Sequence, residues 1–297
     1  MGHTIQLADN LDVLRAMPDG AVDLIYIDPP FNTGKMQQRT QLRSVQAESG
    51  KHVGFQGKRY QNKALSTRRF NDRFDDYLAF LEPRLIEAQR VLAADGSLYF
   101  HVDFREVHYC KVLLDEIFGR ASFINEIIWA YDYGGRSRDR WPAKHDNILL
   151  YAKNPLDYVF DFEAIERIPY MAPGLVSPEK AARGKVPTDT WWHTIVPTNG
   201  AEKTGYPTQK PLGILRRIVQ ASSRPGGRVL DFFAGSGTTG QAALELGRSF
   251  MLVDSNPAAL KVMARRFAGV DDLRWVGFNP PAARTRKPRA AKPRVRA

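Results

Sequence analysis

The stretch "RVLDFFAGSGTTGQAALELG", residues 228–247, restricts what this chain can fold into more than any other part of it. Val229 to Phe232 is a short apolar run that reads as a strand. Gly235, Gly237 and Gly240 follow in a G-x-G-x-x-G turn, and "QAALELG" is a helix stopped by Gly247. A strand feeding through glycines straight into a helix opens a βαβ unit, which requires a parallel sheet covered by helices. The next apolar run, "SFMLVD", ends in Asp254. Glycines so placed let a ligand approach the backbone, and an acid on the second strand accepts ribose hydroxyl hydrogens, so an adenosine-type cofactor is expected. No lysine follows the last glycine, which excludes a Walker A loop. The motif alone fits nicotinamide dinucleotide, S-adenosylmethionine or an unliganded glycine turn. Asp231, at the strand end before the loop, leans toward S-adenosylmethionine: a carboxylate there can pair with the methionine ammonium, whereas a dinucleotide site keeps carboxylates from the pyrophosphate.

The same alternation runs through the chain. "HTIQLAD" reads as a strand ending at Asp9, "NLDVLRAMP" as a short helix, and "VDLIYID" as a nearly continuous apolar strand covered on both faces. Further on, "YLAFLEPRLIEAQRVLA" is helical, "GSLYFHVD" a strand, "REVHYCKVLLDEIFG" a helix, and "FINEIIWAYDY" and "HDNILLYAK" two strands. "PLGILRRIVQASS" is an amphipathic helix with Pro211 in its first turn, and "PAALKVMARRF" closes the pattern. The fold class expected is α/β, doubly wound and mostly parallel, a Rossmann-like sheet. Two segments interrupt it. Residues 35–69 carry nine basic residues against Glu48 alone, with few apolar side chains, and read as a mobile basic loop without regular structure. Residues 155–206, holding Trp191 and Trp192 among prolines and glycines, read as an irregular insertion.

Charge narrows the partner. The chain holds 43 basic and 32 acidic residues, a net charge of +11, which points to a polyanion, with nucleic acid ahead of a membrane surface. Lys35, Arg39 and Arg43 open the first basic segment. "GGRSRDRWPAK" offers Arg136, Arg138, Arg140 and Lys144 around Trp141, a mixture suited to phosphate contact and stacking. The acid-free tail, residues 281–297, reads as a disordered phosphate-attracting extension beyond a single domain over 1–280. The first twenty residues include Asp9, Asp12 and Asp19 and lack the apolar core of a secretion signal. No apolar run approaches the roughly eighteen residues of a spanning helix. The single cysteine, Cys110, rules out a disulfide framework. The six histidines show no metal-ligand spacing, so no metal is expected. A cytoplasmic, nucleoid-associated protein is the expectation.

One motif remains: "DPPF", residues 28–31, at the end of the "VDLIYID" strand. Asp-Pro-Pro alone also suits an ordinary strand-terminating turn. Together with "DFFAGSGTTG" (231–240) and "YPTQKPLGILRRIVQASS" (206–223), however, the chain resembles the β-type amino-methylating DNA methyltransferases. In that subclass the catalytic motif comes first and the cofactor motif near the C-terminus, as here. The resemblance implies a circularly permuted methyltransferase sheet in which Asp9 and Asp28 meet the glycine loop at one edge. It implies catalytic roles for Asp28, Pro29, Pro30 and Phe31. It implies cofactor contacts at Asp9, Thr208, Lys210, Asp231, Phe233, Gly235, Gly237, Thr238 and Asp254, Asp9 being equally suited to cap a helix. It further implies S-adenosylmethionine as methyl donor, double-stranded DNA as substrate, target recognition by the 155–206 insertion, and compatibility with a homodimer. The length fits a solitary or type II enzyme better than a type III modification subunit.

The chemistry accounts for the motif. An exocyclic amine is a poor nucleophile because its lone pair is delocalised into the ring. A carboxylate accepting one amino hydrogen and a backbone carbonyl accepting the other favour a localised lone pair. Asp28 supplies the first acceptor and the Pro29 carbonyl the second, both held by the proline rings. Phe31 can stack on the flipped base. Adenine N6 is favoured over cytosine N4. Ring-carbon methylation is disfavoured, because Cys110 falls within a helix rather than in a Pro-Cys strand end. A nicotinamide oxidoreductase or a non-catalytic nucleic-acid binder leaves "DPPF" unexplained, and RNA or protein-amide methylation more often uses Asn at the Asp28 position.

Overall fold

The computed structural model describes residues 2–32, 35–46, 52–53, 59–72, 74, 76–197 and 199–281, with backbone alone over 35–46, 52–53 and 59–72. In chain order, β1 (His3–Leu7), α1 (Asn10–Ala16) and β2 (Val22–Ile27) form the first βαβ unit. β3 (Lys35–Gln46), β4 (His52–Val53) and β5 (Arg59–Asp72) precede α2 (Tyr77–Val91), β6 (Leu92–Asp103) and α3 (Val107–Phe118). β7 (Phe123–Ala130), β8 (His145–Ala152), α4 (Pro178–Arg183) and β9 (Thr190–Trp192) come next. α5 (Leu212–Ser222), β10 (Arg228–Asp231), α6 (Thr238–Glu245), β11 (Ser249–Asp254), α7 (Pro257–Arg266) and β12 (Leu273–Val276) complete the described chain.

A nine-stranded sheet, ordered β12-β1-β11-β10-β2-β6-β8-β7-β9, forms the centre. Its pairings are parallel except where β8 runs against β6 and β7. Alternate residues of the apolar strands feed two separate layers, which is why the strands show no polar face. Ile25, Ile27, Leu98 and Phe100 pack toward Leu14 of α1, Leu81 and Leu85 of α2 and Leu114 of α3. Leu24, Tyr26, Tyr99 and Val229 pack toward Ile214 and Ile218 of α5, Ala242 of α6 and Leu260 of α7. The result is the doubly wound three-layer fold that the alternation predicted.

The order also bears out the permutation: β1 and β2, from the N-terminus, flank the β11–β10 pair from the C-terminus. β10 runs on to β11 on one side and β2 to β6 on the other, so the strand order reverses between β10 and β2. Ligands of open α/β sheets bind at such a point, outside the carboxyl ends of the strands.

Three expectations are corrected. Residues 35–69, read as lacking regular structure, include β3 and β5, paired antiparallel from Lys35↔Asp72 to Gln46↔Tyr60, with β4 on β5. Polar residues occupy both alternations of this ribbon, so no apolar period marks it in the sequence. The 155–206 segment contributes β9, which pairs with β7 at the sheet edge, so it is partly regular. β12, beside β1, has no counterpart in the sequence reading. Both strands are too short for periodicity to reveal. The tail from residue 282 lies outside the described residues.

Candidate active site

The carboxyl ends of β1, β2, β10 and β11 all reach one edge of the sheet, each finished by or closely followed by an acid: Asp9, Asp28, Asp231 and Asp254. Between them lies a cavity of about 780 Å³. Every residue nominated from the sequence for catalysis or cofactor contact lines it, except Gly237.

On the glycine-loop side, Asp231 is buried at the end of β10. Its Oδ1 accepts the Phe233 amide hydrogen at 3.0 Å and its Oδ2 the Thr239 hydroxyl at 2.6 Å. Burial pushes its pKa up from 3.8 to about 7 against those two hydrogen bonds, with the charges of Asp28 and Asp254 adding to the rise. A carboxylate so desolvated is poised for a cationic partner. Asp254 accepts the Gly235 amide at 2.8 Å and the Asn256 amide at 2.8 Å, while burial raises its pKa. Gly235, at φ 49°, lies under the Tyr206 ring, where a Cβ would come within 3.1 Å.

Gly237 serves a different purpose from the one expected. A Cβ there would meet Met263 and Phe267 at 2.9 Å, so the residue lets the loop seat against α7 rather than a ligand. Thr238 starts α6, its hydroxyl 2.9 Å from that of Ser236. Phe233 faces Phe80 of α2 at 6.1 Å between centroids.

Asp9 caps α1 by accepting the Leu11 amide hydrogen at 2.8 Å, and also lines the cavity. Arg84 of α2 pairs with it at 3.3 Å, donates to Asn10 Oδ1 at 2.7 Å and lies over the Phe80 ring at 3.9 Å. Sequence reading missed Arg84, Asn10, Phe80 and Tyr206, all lining the cavity. The signal for Arg84 was a charged residue on the Leu81–Leu85–Ala88 apolar stripe of α2, a position that demands buried partners.

On the opposite wall stands the β2 end. Asp28 Oδ1 accepts from Lys210 Nζ at 2.7 Å, and the same ammonium lies 4.6 Å from the centroid of the Phe31 ring. Lys210, nominated for cofactor contact, is thus held on the catalytic motif. Asn32, in the left-handed region at φ 50°, donates to Glu106 Oε1 at 3.0 Å and accepts from the Phe74 amide at 3.1 Å, which pins the end of "DPPF". Beneath Phe31 the fully buried His101 ring contacts it at 5.9 Å between centroids. His101 Nδ1 is 2.7 Å from the Tyr26 hydroxyl and Nε2 3.2 Å from Asp146 Oδ2; Tyr131 donates to the other Asp146 oxygen at 3.0 Å. This satisfied buried network forms a rigid floor.

Thr208, at φ 57°, and Lys210 come from the segment before α5, where Gln209 ties Thr204 and Glu202 together. Cys110 lies in the apolar layer on α3, its thiol pushed up to about 12 by burial, with nearby Glu106 and Asp103 adding to the rise. Among the described residues, no group of three or more His, Cys, Asp or Glu side chains is arranged to hold a metal, and no helix is long and apolar enough to cross a membrane.

The basic segments leave from the same edge: 35–72 follows β2, and 131–144 joins β7 to β8. Arg136, Arg138 and Arg140 are exposed, and Trp141 is 96% exposed. Arg136 pairs with Asp132 at 2.9 Å. Lys144, nominated for DNA contact, instead donates to the Tyr133 and Gly135 carbonyls at 2.5 and 2.8 Å and braces the loop. The side chains of Lys35, Arg39 and Arg43 lie outside the described set.

Comparison with known proteins agrees with this geometry. A family model described as DNA methylase, of the N6/N4 methyltransferase class, matches residues 22–265. The chain is 31% identical over 271 residues to the DNA adenine methyltransferase YhdJ of Escherichia coli K12, covering 89% of this chain and 82% of that protein. It is 28% identical over 278 residues to the type II methyltransferase M.HpaI of Haemophilus parainfluenzae, covering 92% and 78%. Among solved structures, TTHA0409 of Thermus thermophilus, titled a DNA modification methylase, aligns with a TM-score of 0.58 at 21% identity, covering 92% of this chain and 99% of that one. The cytosine-N4-specific PvuII DNA methyltransferase aligns at 0.60 with 15% identity, covering 91% and 88%. The chain belongs to the N6/N4 DNA methylase family.

Proposed function

We propose that this protein transfers a methyl group from S-adenosylmethionine to the exocyclic amine of a flipped base in double-stranded DNA, with adenine N6 the target. One observation carries the reading. Asp28, near the start of the chain, and Asp231 and Asp254, near its end, line a single cavity at the point where the strand order reverses. The cavity's donor set fits the cofactor. Asp231 supplies a desolvated carboxylate for an ammonium, Asp254 one for ribose hydroxyls, and Phe80 and Phe233 an aromatic wall beside Asp9 and Arg84. The bound cofactor supplies an activated sulfonium methyl.

The chain's own residues prepare the amine. Asp28 accepts one amino hydrogen and the Pro29 carbonyl the other, which favours a localised lone pair on the nitrogen. The prolines, the Asn32 anchor and the His101 floor keep these acceptors fixed, so little reorganisation accompanies reaction. Phe31 offers a stacking face for the extrahelical base. The exposed arginines and Trp141 beside the cavity suit phosphate contact and strand separation, and the 155–206 segment suits sequence readout. The 31% identity to a protein named as an adenine methyltransferase supports adenine over cytosine. Modified-base sequencing of DNA from cells expressing the protein tests the proposal. N6-methyladenine at one recurrent sequence, absent with the empty vector, is expected; N4-methylcytosine would move the target, and no modified base would refute the function.

A further inference from the structure

Lys210 makes two contacts, and both are contacts that the target base needs. Its Nζ donates to Asp28 Oδ1 at 2.7 Å, as an amino hydrogen must, and lies over the Phe31 ring at 4.6 Å, where a flipped base would stack. Its side chain is 9% exposed and that of Asp28 17%, so this is a sheltered ion pair and not a loose surface contact. The lysine is also not free to drift. Gln209 beside it holds the Thr204 amide and hydroxyl at 2.8 and 2.7 Å and the Glu202 carbonyl at 2.7 Å. Thr208, two residues before it, adopts a left-handed backbone at φ 57°.

Building on the methyltransferase reading, we infer that the Lys210 ammonium occupies the target-amine subsite when no base is present, and that the base enters by displacing it from Asp28 and Phe31. The pair satisfies a half-buried carboxylate that would otherwise face the cavity alone. It also sets a threshold for entry: an incoming group must replace a hydrogen bond and a ring contact together. A planar base bearing an amine does both, whereas water or an abasic sugar cannot. The displaced ammonium has a second carboxylate in range, since its charge helps to lower the pKa of Asp146. There burial acts upward, and the His101 hydrogen bond and charge, then Lys210, act downward. Lys210 is thus a positioning residue that keeps Asp28 oriented and closed until the correct group arrives.

The test compares the affinity of the full-length protein for two duplexes containing the mapped target sequence, one intact and one with an abasic site at the target position. In the wild type, base insertion exchanges one set of contacts for another, so the intact duplex gains little over the abasic one. In Lys210→Met, which keeps the stem and removes the charge, the subsite is open. The preference for the intact duplex should rise by about tenfold or more, with affinity for the abasic duplex unchanged. Lys210→Gln serves the same purpose if the Met variant does not fold. A preference that stays the same or falls, in an enzyme whose wild type methylates the duplex, overturns the assignment. Weaker S-adenosylmethionine binding with an unchanged preference would instead make Lys210 a cofactor contact. A wild type that fails to methylate refutes the methyltransferase reading itself, and this inference with it.

Discussion

Asp231→Asn should make the protein more stable and less able to bind its cofactor, and the stability gain should grow with pH. The carboxyl is 3% exposed and titrates near 7 instead of 3.8. Between those values the unfolded chain has lost a proton that the native state keeps. Native stability therefore falls as pH rises through this window, and the loss is complete above pH 7. The difference of about 3 pH units corresponds to about 4 kcal/mol at pH 8. Asparagine is isosteric: its oxygen can accept the Phe233 amide and its amide group can donate to the Thr239 hydroxyl, so the local hydrogen bonds survive. Urea unfolding of both proteins without cofactor should give nearly equal stability at pH 4. By pH 8 the variant should lead by about 2–4 kcal/mol. Other titrating groups contribute equally to both curves and cancel. Calorimetry should show S-adenosylmethionine binding weakened by about tenfold to a hundredfold in the variant, the value of a charge-assisted hydrogen bond. Wild-type affinity should itself weaken below pH 7. Stability curves that run parallel from pH 4 to pH 8 would refute the reasoning, because they would mean Asp231 carries no burial penalty.

Three further outcomes follow from the site's supports. Gly237→Ala forces an alanine to φ 74° and sets its Cβ 2.9 Å from Met263 and Phe267, so it should lower stability by about 2–4 kcal/mol in thermal melts. An unchanged melting temperature would contradict the close loop–helix seating. Arg84→Met keeps the stem over Phe80 but removes the bonds to Asp9, Asn10 and the Phe80 carbonyl, and should cost about 1–3 kcal/mol of stability and weaken cofactor binding; full retention of both would show the hub to be dispensable. Replacing Arg136, Arg138 and Arg140 with alanine should reduce the slope of log affinity against log salt by roughly 3 and leave methyl transfer in the bound complex intact. An unaltered slope would remove this loop from the DNA interface.

Much of the fold was legible because its signals are local. "VDLIYID" has no polar face, since Ile25 and Ile27 face one helical layer and Leu24 and Tyr26 the other. The glycine loop was visible for the same reason, although Gly237 and Gly235 look alike in sequence and do different work: one seats α7, the other lies beneath Tyr206. Missing were features that depend on distant partners. No spacing relates Lys210 to Asp28 across 182 positions, and Arg84 meets Asp9 only because α2 packs beside α1. β12 and β9 are strands because a neighbouring edge offers hydrogen bonds, not because four or three residues carry a pattern. The β3–β5 ribbon is hidden by its composition, polar on both alternations. Lys144 shows the opposite failure: read from composition as a phosphate contact, it is engaged by two backbone carbonyls of its own loop.

The central claim, that Asp28 prepares the amine for a methyl group carried in the adjoining cavity, is tested most directly by label transfer. Purified protein, methyl-labelled S-adenosylmethionine and duplex DNA are incubated, the DNA is digested to nucleosides, and labelled products are identified by mass spectrometry. Wild type should yield labelled N6-methyladenine. Asp28→Ala should lower the rate by about a hundredfold to a thousandfold, the loss expected on removing one fixed polar contact at the reacting group, while S-adenosylmethionine and DNA binding persist. An Asp28→Ala protein that labels adenine within a few fold of wild type would contradict the account.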